Sequence, residues 1–405
     1  MNASAEAALE TIPPTDEGSL ITDDAGFRHL LDDLDRAAKA SRKPLICAVD
    51  LEADSLHSYR EKLCLVQLCC AGRLAILDPL KIQDLVPLLD FVERPDVELW
   101  MHGADFDMTL LKRTFSRVPP RIYDTQTAAR LLGYRKFGLA YLIEDFFGVA
   151  LSKSPQKADW GKRPLTDKMI EYAMNDVCYL PRMAQMLVGL LNEKGRWDWF
   201  LQSCDAAREA VMAREERTKD EAWKISGWGR LSPKGLAFLR ALWTWRDRQA
   251  EILDRPSFKV MNNERLIELS LGLEEGKKIM APPGRYRQAQ VTSFRDAVRE
   301  VFQMPKEEWP QKVRGKRPKP DPAGARRFDQ LKARRDREAE RHDLEESFIA
   351  AKGALERLAF SPDPPESFLL PWQMELLGLN DGSPSAAATD AEQEASDVER
   401  VSAAP

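Results

Sequence analysis

The sequence predicts an α/β domain built on a mixed sheet with flanking helices, followed by all-α helical units. Three observations carry this expectation. Three extended runs lead, the last two joined by Ala71-Gly72, a hairpin signal. Helical and extended runs then alternate, as in a sheet with helices on its faces. Beyond Ser232 the apolar spacing is helical alone.

Each element has a local reason. Asp24–Ala40 carries Phe27, Leu30, Leu31 and Leu34 at helical spacing. Leu45–Glu52, Lys62–Cys70 and Arg73–Leu77 are apolar runs of strand length. Leu85–Val92 reads as helix, Val97–His102 as strand, Phe106–Thr114 as helix and Arg121–Tyr123 as extended. Thr125–Leu132 and Leu139–Phe147 are helical, and Thr166 is a good N-cap for a long helix that Pro181 should kink or break. Ser232-Pro233 opens a helix with the apolar stripe Leu236, Leu239, Leu242, Trp243, Trp245 and Ile252. Asn262-Asn263 opens another through Leu266, Ile267, Leu269 and Leu271.

The expected organisation is a disordered acidic tail over 1–23, an α/β domain over 24–205 and a connector over 206–228. A helical domain over 229–306, a basic Pro-rich linker over 307–325, a smaller helical unit over 326–379 and a disordered acidic tail over 380–405 follow. At 405 residues, 43% hydrophobic and 31% charged, the chain can bury two or three cores. Its net charge of −5 is concentrated at the ends, because residues 1–24 hold six acids and no Lys or Arg, and 381–405 hold six acids and one Arg. The remaining body is net positive, compatible with a nucleic-acid partner and equally with solvated faces. The six cysteines lack C-x-x-C spacing and mostly lie in apolar runs, which suggests free thiols in a reducing compartment. No run of 18 apolar residues occurs, and the N-terminal stretch lacks the pattern of a signal peptide, so a cytoplasmic protein without a membrane partner is expected.

Chemistry enters with five residues. Asp50 and Glu52 stand two apart at the carboxyl end of the strand begun by Leu45-Ile46-Cys47-Ala48-Val49, so they share a face. Tyr172 and Asp176 stand four apart on a helical pattern and also share a face. Asp105 and Asp107 follow a strand and a Gly103 turn; Asp105 is the better candidate for helix capping and Asp107 for a ligand. Taken singly, each acid has a bland reading as a cap or a solvated group. Together, carboxylates without Cys or His are hard oxygen ligands suited to Mg²⁺ or Mn²⁺. A pair of such ions would activate water and stabilise the leaving oxygen of a phosphodiester. His102, at a strand end beside these residues, is expected to be a hydrogen-bonded structural histidine.

Glu52–Leu68, His102–Asp107 (His-Gly-Ala-Asp-Phe-Asp), Tyr123–Leu132, Asp159–Leu165 and Tyr172–Leu180 (Tyr-Ala-Met-Asn-Asp-Val-Cys-Tyr-Leu) resemble ribonuclease D, in the Tyr-containing branch of the DEDD 3′–5′ exonucleases. The resemblance covers about residues 24–200. Leu231–Phe302, with Leu-Trp-Thr-Trp-Arg-Asp-Arg-Gln-Ala, resembles an HRDC domain, and 326–377 resembles a second, more distant unit of that kind. The resemblance implies an RNase H-like fold. It further implies that Asp50, Glu52, Asp107 and Asp176 hold two divalent ions, and that Tyr172 orients the attacking water. The expected activity is removal of nucleoside 5′-monophosphates from RNA 3′ ends, tRNA precursors among them, with no nucleotide cofactor. Two alternatives remain open here, a 3′–5′ DNA exonuclease and a non-catalytic nucleic-acid-binding scaffold.

Two further stretches are candidates for gripping nucleic acid. Lys153, Gln156, Asp159, Trp160, Lys162 and Arg163 combine cations with an aromatic and could hold phosphate and stack a base. The plainer alternative is a loop whose Trp160 packs on the core. Residues 311–341, with twelve bases and five acids, form the more basic patch, whose plainer alternative is a solvated helix face.

Overall fold

The structure is a computed structural model that describes residues 18–151, 154–215, 219–279, 281–312 and 321–379. Residues 1–17 of the expected N-terminal tail, the whole expected C-terminal tail, Lys153 and residues 313–320 of the basic linker therefore lie outside the described residues.

Six strands form one mixed sheet in the order β1-β4-β3-β2-β5-β6. They are β1 (Ser19–Ile21), β2 (Leu45–Ala53), β3 (Leu63–Cys70), β4 (Arg73–Leu77), β5 (Val97–Met101) and β6 (Tyr123–Asp124). The expected hairpin joins β3 to β4, with Ala71 and Gly72 both at positive φ. Strand β2 pairs antiparallel with β3 and parallel with β5. Ser19–Ile21 was expected to lie in a disordered tail. Instead its short apolar run adds to the sheet edge in parallel with β4, Ile21 opposite Leu77.

Alternation along the strands assigns the two faces. Val49, Leu51, Val66 and Leu68 pack under α1 (Asp24–Ala40), α2 (Val86–Val92) and α3 (Asp105–Phe115), which contribute Phe27, Leu34, Leu88, Phe91, Leu110 and Leu111. The opposite face lies under α4 (Thr125–Leu131), α6 (Asp167–Cys178) and α7 (Leu180–Glu193), while α5 (Leu139–Phe147) flanks them. Pro181 separates α6 from α7 and stands in the first turn of α7, where a missing N–H breaks no helical bond. Helix α6 is thereby complete through Asp176.

The connector does not begin at 206. Helix α8 (Trp197–Ala213) runs on to Ala213, Val211 enters the core of the α/β domain, and the Lys112 ammonium donates to the Val211 and Met212 carbonyls. After the short α9 (Lys219–Ala222), Trp223 and Ile225 already belong to the next core. Three isolated apolar residues thus anchor a charged stretch at both ends.

That next core is helical: α10 (Pro233–Leu253), α11 (Ser257–Val260), α12 (Asn263–Glu274) and α13 (Gln288–Gln303) bury Leu236, Leu242, Trp245, Leu266 and Phe294. The smaller unit, α14 (Pro322–His342), α15 (Glu346–Ile349), α16 (Lys352–Phe360) and α17 (Pro371–Leu377), shares its core with the α/β domain. Trp372 stacks on Trp199 at 5.0 Å, Arg196 donates to the His342 carbonyl, and Arg130 lies over Phe348. A stacked aromatic pair adds about 1 kcal/mol beyond its area. On α14, Arg327, Arg334 and Arg335 donate to the Ala359, Leu376 and Ala350 carbonyls, so part of the basic run is structural.

Candidate active site

Parallel pairing of β2 with β5 ends at Ala48 opposite Trp100. Past that point β2 continues alone on this side, carrying Asp50 and Glu52 on the face that α6 covers. Gly103, at φ +69°, turns the chain from β5 into α3, and its N–H donates to Asp124. The turn brings Asp107 back to β2, where its Oδ1 accepts the Leu51 N–H at 3.0 Å. An acid from one element thus satisfies the backbone between the two acids of another.

Carboxylate oxygens of Asp50, Glu52 and Asp176 lie within 4.8 Å of one another. Asp107 lies outside that triplet but is buried next to it and repels Asp50 and Glu52. Tyr172, one helical turn before Asp176, shares a side-chain hydrogen bond with it. The structure therefore brings together the five residues singled out in the sequence, with Asp107 as the rear wall.

No Lys or Arg among the described residues pairs with any of the four acids. Burial pushes Asp50 up to about 7. Burial, then Asp50, raises Asp176 to about 8. Burial followed by repulsion from Asp50, Asp176 and Asp107 takes Glu52 to about 9. Burial and then Asp50 raise Asp107 well above the usual carboxylate range. The Tyr172 hydroxyl is pushed up by burial and then by Asp176, Glu52 and Asp50, so it stays neutral and can donate. Four crowded oxygen donors with no cation of their own fit hard divalent ions.

The surroundings correct two expectations. Trp160 is 1% exposed, wedged among Leu65, Ile76 and Ala173 with its ring 6.0 Å from Tyr172, so it cannot stack a base. Arg163 holds Asp78 through two bonds of 2.7 Å and donates to the Trp160 and Cys64 carbonyls, which leaves it no free fork for phosphate. Of that proposed grip, Gln156 is exposed and Lys153 lies outside the described residues. A large aromatic and a bidentate cation were better used in packing the segment that precedes α6. Asp105 does not cap α3 either, because the N-cap is Ala104 and Asp105 pairs with Arg214 at 2.8 Å. His102 is structural: Thr125 Oγ1 donates to the Met101 carbonyl at 3.1 Å and meets His102 Nδ1 at 2.9 Å.

Sequence reading missed the loop that follows Glu52. Asp54 is 1% exposed and accepts from Ser58 Oγ, the Lys62 N–H and the Lys62 ammonium, closing the loop on itself. From it Tyr59 donates through its hydroxyl to Asp247 at 3.0 Å and through its N–H to Asp254 at 3.1 Å. Arg60 pairs with Glu251, so helix α10 is tied to the loop beside the acids. The sequence signal was Asp54 four residues before Ser58, the spacing of an acid that organises its own loop.

Comparison with known proteins agrees with this site. Residues 21–192 match the 3′–5′ exonuclease family and 235–281 match the HRDC domain. Ribonuclease D of Gluconacetobacter diazotrophicus is 28% identical over 369 residues, covering 87% of this chain and 91% of that protein. Ribonuclease D of Serratia proteamaculans is 30% identical over 280 residues, covering 66% of this chain and 71% of that protein. The crystal structure of Escherichia coli RNase D superimposes with a TM-score of 0.66 at 24% identity, covering 90% of this chain and 97% of that one, and shows the shared fold. With the acid cluster at the carboxyl end of β2 and these relatives spanning most of its length, the chain belongs to the ribonuclease D family of 3′–5′ exoribonucleases.

Proposed function

We propose that this enzyme trims RNA 3′ ends with two divalent ions, Mg²⁺ or Mn²⁺, releasing nucleoside 5′-monophosphates. The observation that carries the reading is the acid cluster of Asp50, Glu52 and Asp176, paired with no Lys or Arg among the described residues, with Asp107 behind it. Bound there, the ions would supply charge to the phosphate and acidify the attacking water. Asp50, Glu52, Asp107 and Asp176 hold them, and their carboxylates give up their protons as they do so. Tyr172, neutral and fixed by Asp176, orients the water by a hydrogen bond without adding charge to the cluster.

The substrate class follows from the relatives. The E. coli RNase D structure is described as that of an exoribonuclease involved in structured RNA processing, and structured RNAs, tRNA precursors among them, are our proposed substrates. Helix α10, tied to the loop beside the acids, would keep an RNA body close to the reacting end and raise its effective concentration.

A labelled single-stranded RNA incubated with Mg²⁺ or Mn²⁺ should shorten from its 3′ end to 5′-monophosphates, and EDTA should stop it. A matched DNA oligonucleotide in parallel distinguishes a DNA exonuclease. Undiminished RNA digestion by Asp107→Asn would refute the metal-site assignment.

A further inference from the structure

Gln67 is the single polar side chain in β3, Leu-Cys-Leu-Val-Gln-Leu-Cys-Cys, and it is wholly buried. Neither its Nε2 nor its Oε1 has a hydrogen-bond partner among the described residues. Leaving a buried amide unpaired costs about 1–3 kcal/mol, and an apolar residue would avoid that cost.

Strand register shows which way the amide faces. Gln67 stands directly opposite Asp50 on β2 and Ile76 on β4. Directly opposed residues share a face, with Cβ atoms about 4.5–5.5 Å apart, within reach of two long side chains. Along β3 the neighbours on that face are Leu65 and Cys69. Three of the four positions around Gln67 are thus apolar, and the fourth is Asp50. Helix α6, which bears Tyr172 and Asp176, covers the same face and packs on β2, β3 and β4. Tyr172 and Ala173 of that helix meet Leu65 and Ile76, the neighbours of Gln67.

We infer that Gln67 is a positioning residue for the acid cluster, its Nε2 donating to the Asp50 carboxylate when that group ligates a divalent ion. Where a ligating carboxylate keeps an oxygen free to accept, a donor on that oxygen would fix the ligand's orientation. The inference rests on Asp50 being a ligand, as proposed above. It accounts for an amide kept at a buried position where the sheet offers it no other polar neighbour.

The test uses the full chain with Gln67→Leu and Gln67→Met, which keep the volume and remove the amide. Mn²⁺ binding is measured by calorimetry, kcat and KM on a single-stranded RNA, and melting temperature in EDTA. Mn²⁺ affinity and kcat should each fall about 10- to 100-fold. KM for RNA should stay within about twofold, and melting in EDTA should be unchanged or higher because an unpaired amide is gone. Parental Mn²⁺ affinity in both variants overturns the inference, as does a melting point several degrees lower in both, which would make the amide a structural group. Asp50→Asn separates the two levels. If it binds Mn²⁺ like the parent, the ligand assignment itself fails, and the inference with it. If it loses Mn²⁺ while both Gln67 variants retain it, only the role of Gln67 is wrong.

Discussion

Two sets of acids in the exonuclease domain, each buried or half-buried, behave in opposite ways. Asp54 and Asp78 are each 1% exposed, and burial alone would raise them. Ser58 and Lys62 more than offset it for Asp54, and the Arg163 fork does so for Asp78, so both stay below the usual carboxylate range. For Asp50, Glu52, Asp107 and Asp176 burial is not offset: the Leu51 N–H and the Tyr172 hydroxyl donate to the group, no described Lys or Arg pairs with it, and its members repel one another, so all four rise. An acid that serves architecture brings its cation from the same chain. On the function proposed above, the four of the cluster are left to a cation from solution.

The largest expected effect breaks or upholds that contrast. Asp176→Asn should lower the rate on RNA by roughly 10³-fold, about 4 kcal/mol of lost stabilisation. Its melting point in EDTA should hold or rise, because one member of a repelling group is gone. Asp78→Asn should do the reverse. It strands Arg163 and should cost about 3–5 kcal/mol of stability in a denaturant titration, while the molecules still folded keep their activity. If the two variants lost stability equally, the distinction would not stand.

Much of this was legible in advance, for reasons that differ by residue. Asp50 and Glu52 were readable because a strand's period of two puts them on one face, and Tyr172 with Asp176 because a helix turn does the same. Lone sequence position does not say what a side chain faces across elements. Trp160 and Arg163 looked like a nucleic-acid grip because cations next to an aromatic have the same composition whether exposed or packed. Only the partners Asp78, Leu65 and Ala173, from other elements, decide it. Ser19–Ile21 was lost in its acidic surroundings, since three residues give no period and their pairing with β4 is a tertiary fact. Gln67 passed unremarked inside a run that reads as apolar, and its meaning needed the register that sets it opposite Asp50.

Tyr172→Phe sharpens the contrast within the site. It should reduce kcat by roughly 10²-fold while Mn²⁺ affinity stays parental, because the hydroxyl is given a role on water rather than on the ions. Equal losses in both quantities would make Tyr172 a ligand support.

pH separates the two sets of acids again. For the cluster, folded values of about 7, 8 and 9 for Asp50, Asp176 and Glu52 lie above the unfolded ones, so the folded chain holds extra protons. That contribution is full below about pH 4 and is lost as pH rises through 7 to 9. Asp54 and Asp78, held low, contribute above about pH 4 and lose their share as pH falls through their folded values. In EDTA the melting point should therefore decline on the alkaline side. Added Mg²⁺, on binding the deprotonated cluster, should raise it more at pH 8.5 than at pH 5.5, the gain in unfolding free energy at each pH being roughly RT ln(1 + [Mg²⁺]/Kd) with the Kd of that pH. A metal increment independent of pH would mean that ions bind without displacing those protons.

The smallest expected effect concerns the tie between the loop after Glu52 and helix α10. Tyr59→Phe removes the bond to Asp247 and leaves the Tyr59 N–H on Asp254 in place. Burial and then Asp247 raise the Tyr59 hydroxyl to about 12, so it remains a donor at every working pH. A partly exposed hydrogen bond to a carboxylate is worth about 1 kcal/mol, and the Arg60–Glu251 pair beside it, largely in solvent, contributes less. Stability should thus barely move. If α10 serves to keep an RNA body near the acids, the variant should lose rate on a structured RNA with a short 3′ tail more than on an unstructured oligonucleotide. Equal rates for parent and variant on both substrates would reduce the contact to simple packing between two domains.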